Sequence, residues 1–545
     1  MTLTDVLLVA TPGLPLALAA ACVLPGVRAR MSSLLALAPV PGLLAALLAA
    51  HAPPATFGTG LYRPTLALDA PGALLLGVAA LLWIAAGAYA ATYQRGAANP
   101  GRFAVCWLLG AAGCLGVFVA ADMPLLYLAL ALLTLGATGL VFHDETPRAR
   151  RAAALYVGLA LFAESLVLAA MVLLAGATPD GSLLIRDAAA ALPAMPLRDA
   201  TLALLIAGFG IKAGLVPLHV WMPLAHGAAP MPASAVLSGA VVKAGIIGLV
   251  RFVPVDAALA GAGTLLAVVG MVTALYAVAI GITQQHPKVV LAYSSVSQMG
   301  FVAAVIGAGV AHGDAAAPLL AAFYAGHHVL LKGAMFLLVG VVAATSAHRL
   351  RGTLALATVV AVGLGGLPPS GGFIAKYAVK DPLGGGWIAL AAAASAVGTT
   401  LLMLHFVRRV RTVAATAPDA RAAPGLALPW LALALASIVV PWALYAMLPL
   451  GAPAAAFAPA ALWSGASPVA VGALLAVALA RWGARLPRIP DGDVVVLGDA
   501  AARQAATLAP LAVRADGALR QWPVATALLA GTALAIGLAM TAWRG

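Results

Sequence analysis

A chain of 545 residues that is 63% hydrophobic and only 9% charged, with a mean hydropathy of +1.05, cannot be solvated by water, which excludes a soluble enzyme or binding module. The formal net charge of +13 does not signal a nucleic-acid partner, because the arginines fall in short connections between apolar runs and form no single basic face. There they act as topology signals for a membrane-spanning chain.

Apolar runs of roughly 18 to 25 residues, each long enough to cross a hydrocarbon core of about 30 Å as a helix, recur along nearly the whole length. They predict an all-α polytopic membrane protein of about sixteen transmembrane helices. In chain order the first eight runs are 4–27, 31–51, 70–92, 102–121, 124–142, 152–176, 199–217 and 230–253. The second eight are 257–281, 289–311, 315–343, 354–379, 385–407, 425–448, 461–482 and 521–543. The first basic residue is Arg28 and no small-residue cleavage site follows the first run, so 4–27 is expected to be a retained helix. Cys22, Cys106 and Cys114 lie in apolar segments without metal-ligand spacing and read as small buried side chains. The stretch from Arg485 to Arg520 is the longest polar segment and reads as an amphipathic cytoplasmic piece.

Basic residues alternate between successive connections. One set holds Arg28 and Arg30, Arg95 and Arg102, Arg148, Arg150 and Arg151, Lys288, Arg349 and Arg351, then Arg408, Arg409, Arg411 and Arg421. The other set is poorer in charge or carries Asp122, Asp180, Asp256 and Asp314. This alternation predicts a multi-pass protein of a bacterial-type inner membrane with a periplasmic N-terminus.

Two predicted helices are interrupted by glycine and proline at membrane depth, around Gly208–Pro217 and Gly363–Phe373. Unwound backbone is tolerated there only where it is buried or lines a cavity, so paired breaks point to a midplane site. Ionisable residues at that depth cost about 2.5 to 3.5 kcal/mol each and need a partner or a purpose. They are Glu164, Lys212, Lys243, His327, His328, Lys332 and Lys376, while Arg251 and His405 stand near helix ends, within reach of an interface. Glu164 is one of only two glutamates in the chain, beside Glu145. We read a proton relay in which Glu164 pairs with Lys212 and Lys243, His328, Lys332 and Lys376 continue the line, with His219, His226 and His327 as supporting groups. No carboxylate or cysteine stands at metal-ligand spacing from these histidines, so no metal is expected.

The run Lys212-Ala-Gly-Leu-Val-Pro-Leu-His-Val-Trp-Met-Pro-Leu-Ala-His226, with Ala229–Ala235, Val242–Gly245, Leu291–Gly300, His328–Lys332 and Pro368–Lys376, resembles the antiporter-like membrane subunits of respiratory complex I (NADH-quinone oxidoreductase). That family includes the Mrp-type cation/proton antiporters and the large membrane subunits of hydrogenase-4 and formate hydrogenlyase. Leu68-Asp69 also resembles the family's entry to its third helix, and the likeness covers roughly residues 65–410. The resemblance implies two inverted five-helix repeats, 102–253 and 254–410, with helices 7 and 12 broken, N-terminal helices in 1–101 and C-terminal helices with the polar segment near 485–520 in 411–545.

It further implies that Lys212 is the lysine of broken helix 7, Lys243 the central lysine of helix 8, His328 and Lys332 the connecting groups of helix 11, and Lys376 the terminal group of helix 12. One departure stands out. Where family members carry a glutamate in helix 5 this chain has Ala131, and Glu164 in the next helix is the available substitute. The implied function is a proton-translocating subunit, itself without redox cofactors, within a larger membrane complex of NADH-quinone oxidoreductase or hydrogenase type. The alternatives are a subunit of an Mrp-type Na+/H+ antiporter and a membrane subunit for inorganic-carbon uptake working with a soluble zinc protein.

Overall fold

In lipid every backbone N–H and C=O must be paired within the protein, and apolar runs of about 20 residues satisfy this as helices. The computed structural model describes residues 2–50, 52–58, 62–487 and 489–495. In chain order the principal helices are α1 Leu3–Ala21, α2 Val40–Leu48, α3 Ala70–Tyr93, α4 Pro100–Val119, α5 Met123–Phe142 and α6 Pro147–Ala175. Helix α7 is split into α7a Arg198–Ala213 and α7b Trp221–Ala228, and α8 spans Met231–Phe252. There follow α9 Ala260–Gly281, α10 Pro287–His312, α11 Ala317–Ala343, the split α12a Arg351–Gly365 and α12b Gly371–Ala378, α13 Gly386–Val410, α14 Pro424–Met447 and α15 Pro459–Trp482. Proline opens α4, α6, α10, α14 and α15, where its missing N–H costs nothing. Asp69, Asp122 and Thr146 cap α3, α5 and α6 by accepting from the backbone N–H of Gly72, Leu125 and Ala149.

Among the described residues thirteen helices are long and apolar enough to cross a membrane. The chain is an all-α, multi-pass membrane protein. Three of the sixteen expected spans are not among these thirteen. The run 31–51 yields only α2, nine residues or about 13.5 Å of helix, because Pro39, Pro41 and Gly42 leave turns and a short 3-10 segment, Met31–Ser33, ahead of it. The run 354–379 is divided between α12a and α12b. The run 521–543 lies outside the described residues, as does the polar segment beyond residue 495. The first span also stops early, at Ala21, before a separate short helix Pro25–Arg30.

Burial sorts the helices. Within their most apolar windows α10 and α11 are wholly buried and α8 is 94% buried, whereas α15 is 11% buried and α1 22%. The ionisable residues of α8 and α11 therefore sit in the centre of the bundle, away from lipid. Close backbone approach helps to seat α10. A Cβ at Gly270 would collide with the Gly300 carbonyl, and one at Gly263 with that of Gly307, so small residues let α9 and α10 touch along their length.

Candidate functional site

The first break follows from three residues. Helix α7a ends at Ala213, Gly214 takes the left-handed conformation (φ 82°) that a side chain disfavours, and Pro217 lacks the N–H needed to continue. Lys212 thus stands in a last helical turn, where free carbonyls favour a cation. Its Nζ lies 2.7 Å from Glu164 Oε1 and 3.1 Å from Thr134 Oγ1, and the Thr134 hydroxyl donates to the same carboxylate oxygen at 2.5 Å. All three residues are buried. The expected Glu164–Lys212 pair is present in the structure, and its contact from α5 is Thr134. Ala131 is only half-buried and makes no part of the triangle. The signal for Thr134 was its hydroxyl, the first polar group after Tyr127 on an otherwise apolar α5 stretch.

Beyond Lys212 a cavity of about 20 Å³ is lined by Tyr156, Lys212, Trp221, Val241 and Ala244 among others. It is of the size of a single water site, and Val241 and Ala244 belong to the turn that carries Lys243. That turn is irregular, since Leu237–Val241 is π-helical, a distortion that recurs at functional sites. Lys243 Nζ lies 2.6 Å from His328 Nδ1 and donates to the Ser238 carbonyl at 3.2 Å. The Ser238 and Ser295 hydroxyls meet at 2.6 Å, Ser295 donates to the Leu291 carbonyl at 3.1 Å, and Lys332 Nζ donates to that carbonyl at 3.0 Å. Lys243 and Lys332 thus each donate to a backbone carbonyl, of Ser238 and of Leu291, on either side of the paired Ser238 and Ser295 hydroxyls, and neither has a carboxylate partner among the described residues. The two serines were not singled out from sequence, although Ser295 lies inside a quoted motif.

The supporting histidines scatter around this line. His226 is buried between the rings of Trp221 and Phe336, with centroids 5.9 and 5.7 Å away, and neither ring nitrogen has a hydrogen bond among the described residues. His219 packs edge-on to Tyr276 at 5.4 Å. His327 turns toward the second break, where a Cβ on Gly372 would lie 3.0 Å from its Cε1.

The second break repeats the first in outline. Helix α12a ends at Gly365, Gly366 is left-handed (φ 110°), and Ser370 caps α12b by accepting from the Phe373 N–H. Lys376 lies on α12b with its Nζ 5.7 Å over the ring of Phe301. It borders a cleft of about 450 Å³ whose walls include Phe373, Tyr377, Lys380 and Asp381.

Three further residues have partners that the sequence did not show. Arg251, in the last turn of α8, grips Asp69 at 2.9 and 3.0 Å and donates to the carbonyls of Val117, Phe118 and Ala120, closing the C-terminal end of α4. His405 is buried, with Nε2 2.8 Å from the Gln284 carbonyl. Lys288, read as a loop charge, is buried in the first turn of α10, where its ammonium donates to the Ala229 carbonyl. The expected span begins at 289, whereas Pro287 is already the first helical residue.

The profile of the family described as NADH:quinone oxidoreductase/Mrp antiporter, TM matches residues 120–403, more than half of the chain and both breaks. The chain is similar to hydrogenase-4 component B of Escherichia coli (strain K12), 28% identical over 361 residues that make up 61% of this chain and 52% of that protein. It is also similar to NADH-quinone oxidoreductase subunit N of Desulforudis audaxviator, 30% identical over 367 residues, 63% of this chain and 71% of that protein. A chain of the Mrp complex from Dietzia sp. shares its fold, with a TM-score of 0.77 at 23% identity, covering 99% of this chain and 63% of that one. The match thus spans about half the length of hydrogenase-4 component B. On the profile match and the buried, twice-broken helical bundle, the chain belongs to the NADH:quinone oxidoreductase/Mrp antiporter family of transmembrane proteins.

Proposed function

We propose that this chain is a proton-translocating, antiporter-like subunit of a redox-driven membrane complex of the NADH-quinone oxidoreductase or hydrogenase type. The observation that carries the reading is the succession of buried groups from Glu164–Lys212, past a water-sized cavity, to the cluster of Lys243, His328, Ser238, Ser295 and Lys332, with Lys376 at a cleft beyond it. In this reading the line lies between two five-helix repeats, α4–α8 and α9–α13, and the N-terminus faces the periplasm.

The chemistry is repulsion between like charges in a medium of low dielectric. While Glu164 holds Lys212, the positive charge of that pair is screened from Lys243. When the pair opens, the bare Lys212 ammonium drives the proton of Lys243 onward to His328 and Lys332, and the hydroxyls of Ser238 and Ser295 offer sites that both donate and accept. Lys376 takes the proton at the cleft, where solvent receives it. Redox energy enters through partner subunits that move the Glu164–Lys212 pair.

The test is purification of the tagged chain from its native membrane, together with substrate-driven proton uptake into inverted vesicles. Co-purification of hydrogenase or quinone-reductase subunits, with uptake lost on deletion of the chain, is the expected outcome. Recovery with small antiporter subunits alone, and Na+-dependent exchange without a redox substrate, would contradict it.

A further inference from the structure

Tyr324, His328 and Lys332 stand four residues apart on α11 and so share one face of the helix. Tyr324 donates its hydroxyl to Gln298 Oε1 of α10 at 2.6 Å, Gln298 Nε2 donates to Thr399 Oγ1 of α13 at 3.0 Å, and Thr399 donates to the Ser395 carbonyl at 2.7 Å. Tyr324, Gln298 and Thr399 are each 1% exposed. Every donor in this chain points the same way and the last acceptor is a backbone carbonyl of α13, so the hydrogen bonds stop short of Lys376. An amide such as Gln298 also has no proton to pass on near neutral pH.

The ring of Phe301 contacts both Tyr324 of this chain and Lys376. Its centroid lies 4.9 Å from that of Tyr324, and the Lys376 ammonium lies 5.7 Å over it. Phe301 forms part of the cleft wall, whereas Tyr324, Gln298 and Thr399 do not.

The geometry points to Phe301 as a hydrophobic gate between the buried polar line and the cleft at the second break, a positioning residue that keeps water and protons from crossing until its ring moves. Apolar constrictions close a path by excluding water. The Gln298–Thr399 chain fixes Tyr324, and Tyr324 in turn backs the Phe301 ring. The cation over the ring couples the gate to charge. An ammonium at Lys376 attracts the ring and a neutral amine does not, so the ring is held more firmly after a proton has reached Lys376 than before. A proton delivered to the cleft thereby shuts the way back.

This inference rests on the proposed relay, and its test separates the two. The full-length chain is reconstituted into proteoliposomes with a trapped pH dye, and passive proton leak is followed under an imposed potential. Phe301→Ala should leak at least about tenfold faster than wild type, the change produced when a barrier falls by about 1.4 kcal/mol. Phe301→Leu, still bulky and apolar, should stay close to wild type. Adding Lys332→Met to Phe301→Ala should return the leak to the wild-type rate.

Tyr324→Phe, which keeps the core volume but frees the ring's support, should leak at an intermediate rate and decides the matter if Phe301→Ala does not insert. Tight membranes from correctly inserted Phe301→Ala or Tyr324→Phe protein overturn the gate, as does a leak that survives Lys332→Met. The relay is judged apart from this by Lys243→Ala. Driven transport that survives Lys243→Ala defeats the relay, whereas loss of transport there together with a tight Phe301→Ala defeats the gate alone.

Discussion

The two broken helices use the same backbone device to opposite electrostatic ends. At the first, Lys212 is closed in with Glu164 and Thr134 beside a cavity of about 20 Å³. At the second, Lys376 has no carboxylate within ion-pair distance among the described residues, meets the face of Phe301, and borders about 450 Å³ of open space. A charge removed from water must be neutralised by a partner or returned to water. The first break takes the former course, and the second sets its cation beside a cleft. Under the proposed relay the two ends would do different work, the paired end as a switch that opens and closes and the cleft end as the place of exchange.

That contrast is easiest to break at the first site. Lys212→Met leaves Glu164 buried without its cation and should cost about 3 to 5 kcal/mol of stability, read as an early thermal transition of the detergent-solubilised protein. Lys212→Met combined with Glu164→Gln should recover most of the loss, since neither charge then remains. A single mutant that melts like wild type would show that the pair anchors nothing.

Next in size is Thr134→Val, which removes a hydroxyl hydrogen bond to a charged carboxylate and should cost about 1.5 to 3 kcal/mol by the same melt. At the second site Lys376→Met should sharpen the comparison by changing stability by no more than about 0.5 kcal/mol, because no buried partner is stranded. Proton transport should nevertheless be lost, and a large fall in melting temperature would show that Lys376 is held by more than solvent and a ring.

The smallest effect concerns neither break. Desolvation acts to raise the pKa of Asp69, yet the Arg251 guanidinium and the Gly72 N–H together hold its carboxyl below the ordinary carboxylate value. A carboxyl whose folded pKa is depressed contributes stability that is fully present above its unfolded pKa, near 4, and lost as acid passes the lower folded value. Asp69→Asn should therefore flatten the acid limb of a pH–stability curve below about pH 4 and leave the neutral region less stable throughout. Parallel wild-type and mutant curves in acid would contradict the pairing.

Sequence made the long helices, both breaks and the order of the buried charges legible, since each rests on a local rule: apolar run length, Gly–Pro interruption, or an ionisable residue where it is costly. What it hid depends on which faces meet. Ala131 marks where the family resemblance puts a glutamate, and Glu164 was the available substitute; what stayed hidden is that the contact from α5 is made three residues on by Thr134, which packing brings against Glu164 of α6 and Lys212 of α7a. Ser238 and Ser295 are ordinary small polar residues until packing brings α8 and α10 together. Lys288 counted as a loop charge in the alternation of basic residues, yet it is buried. Its neighbours supply a carbonyl that no reading of one segment reveals. Helix α2 fell short for the converse reason, because hydropathy registers apolar length and is blind to Pro39, Pro41 and Gly42.

Lys243 is where these observations converge, fully buried between the paired first break and the Lys332 side of the line. The most direct measurement is proton movement by the assembled complex carrying Lys243→Ala, compared with wild type in sealed vesicles after insertion has been verified. Loss of driven proton translocation with normal membrane insertion is the predicted result. Undiminished translocation would contradict the buried line as the path of the proton.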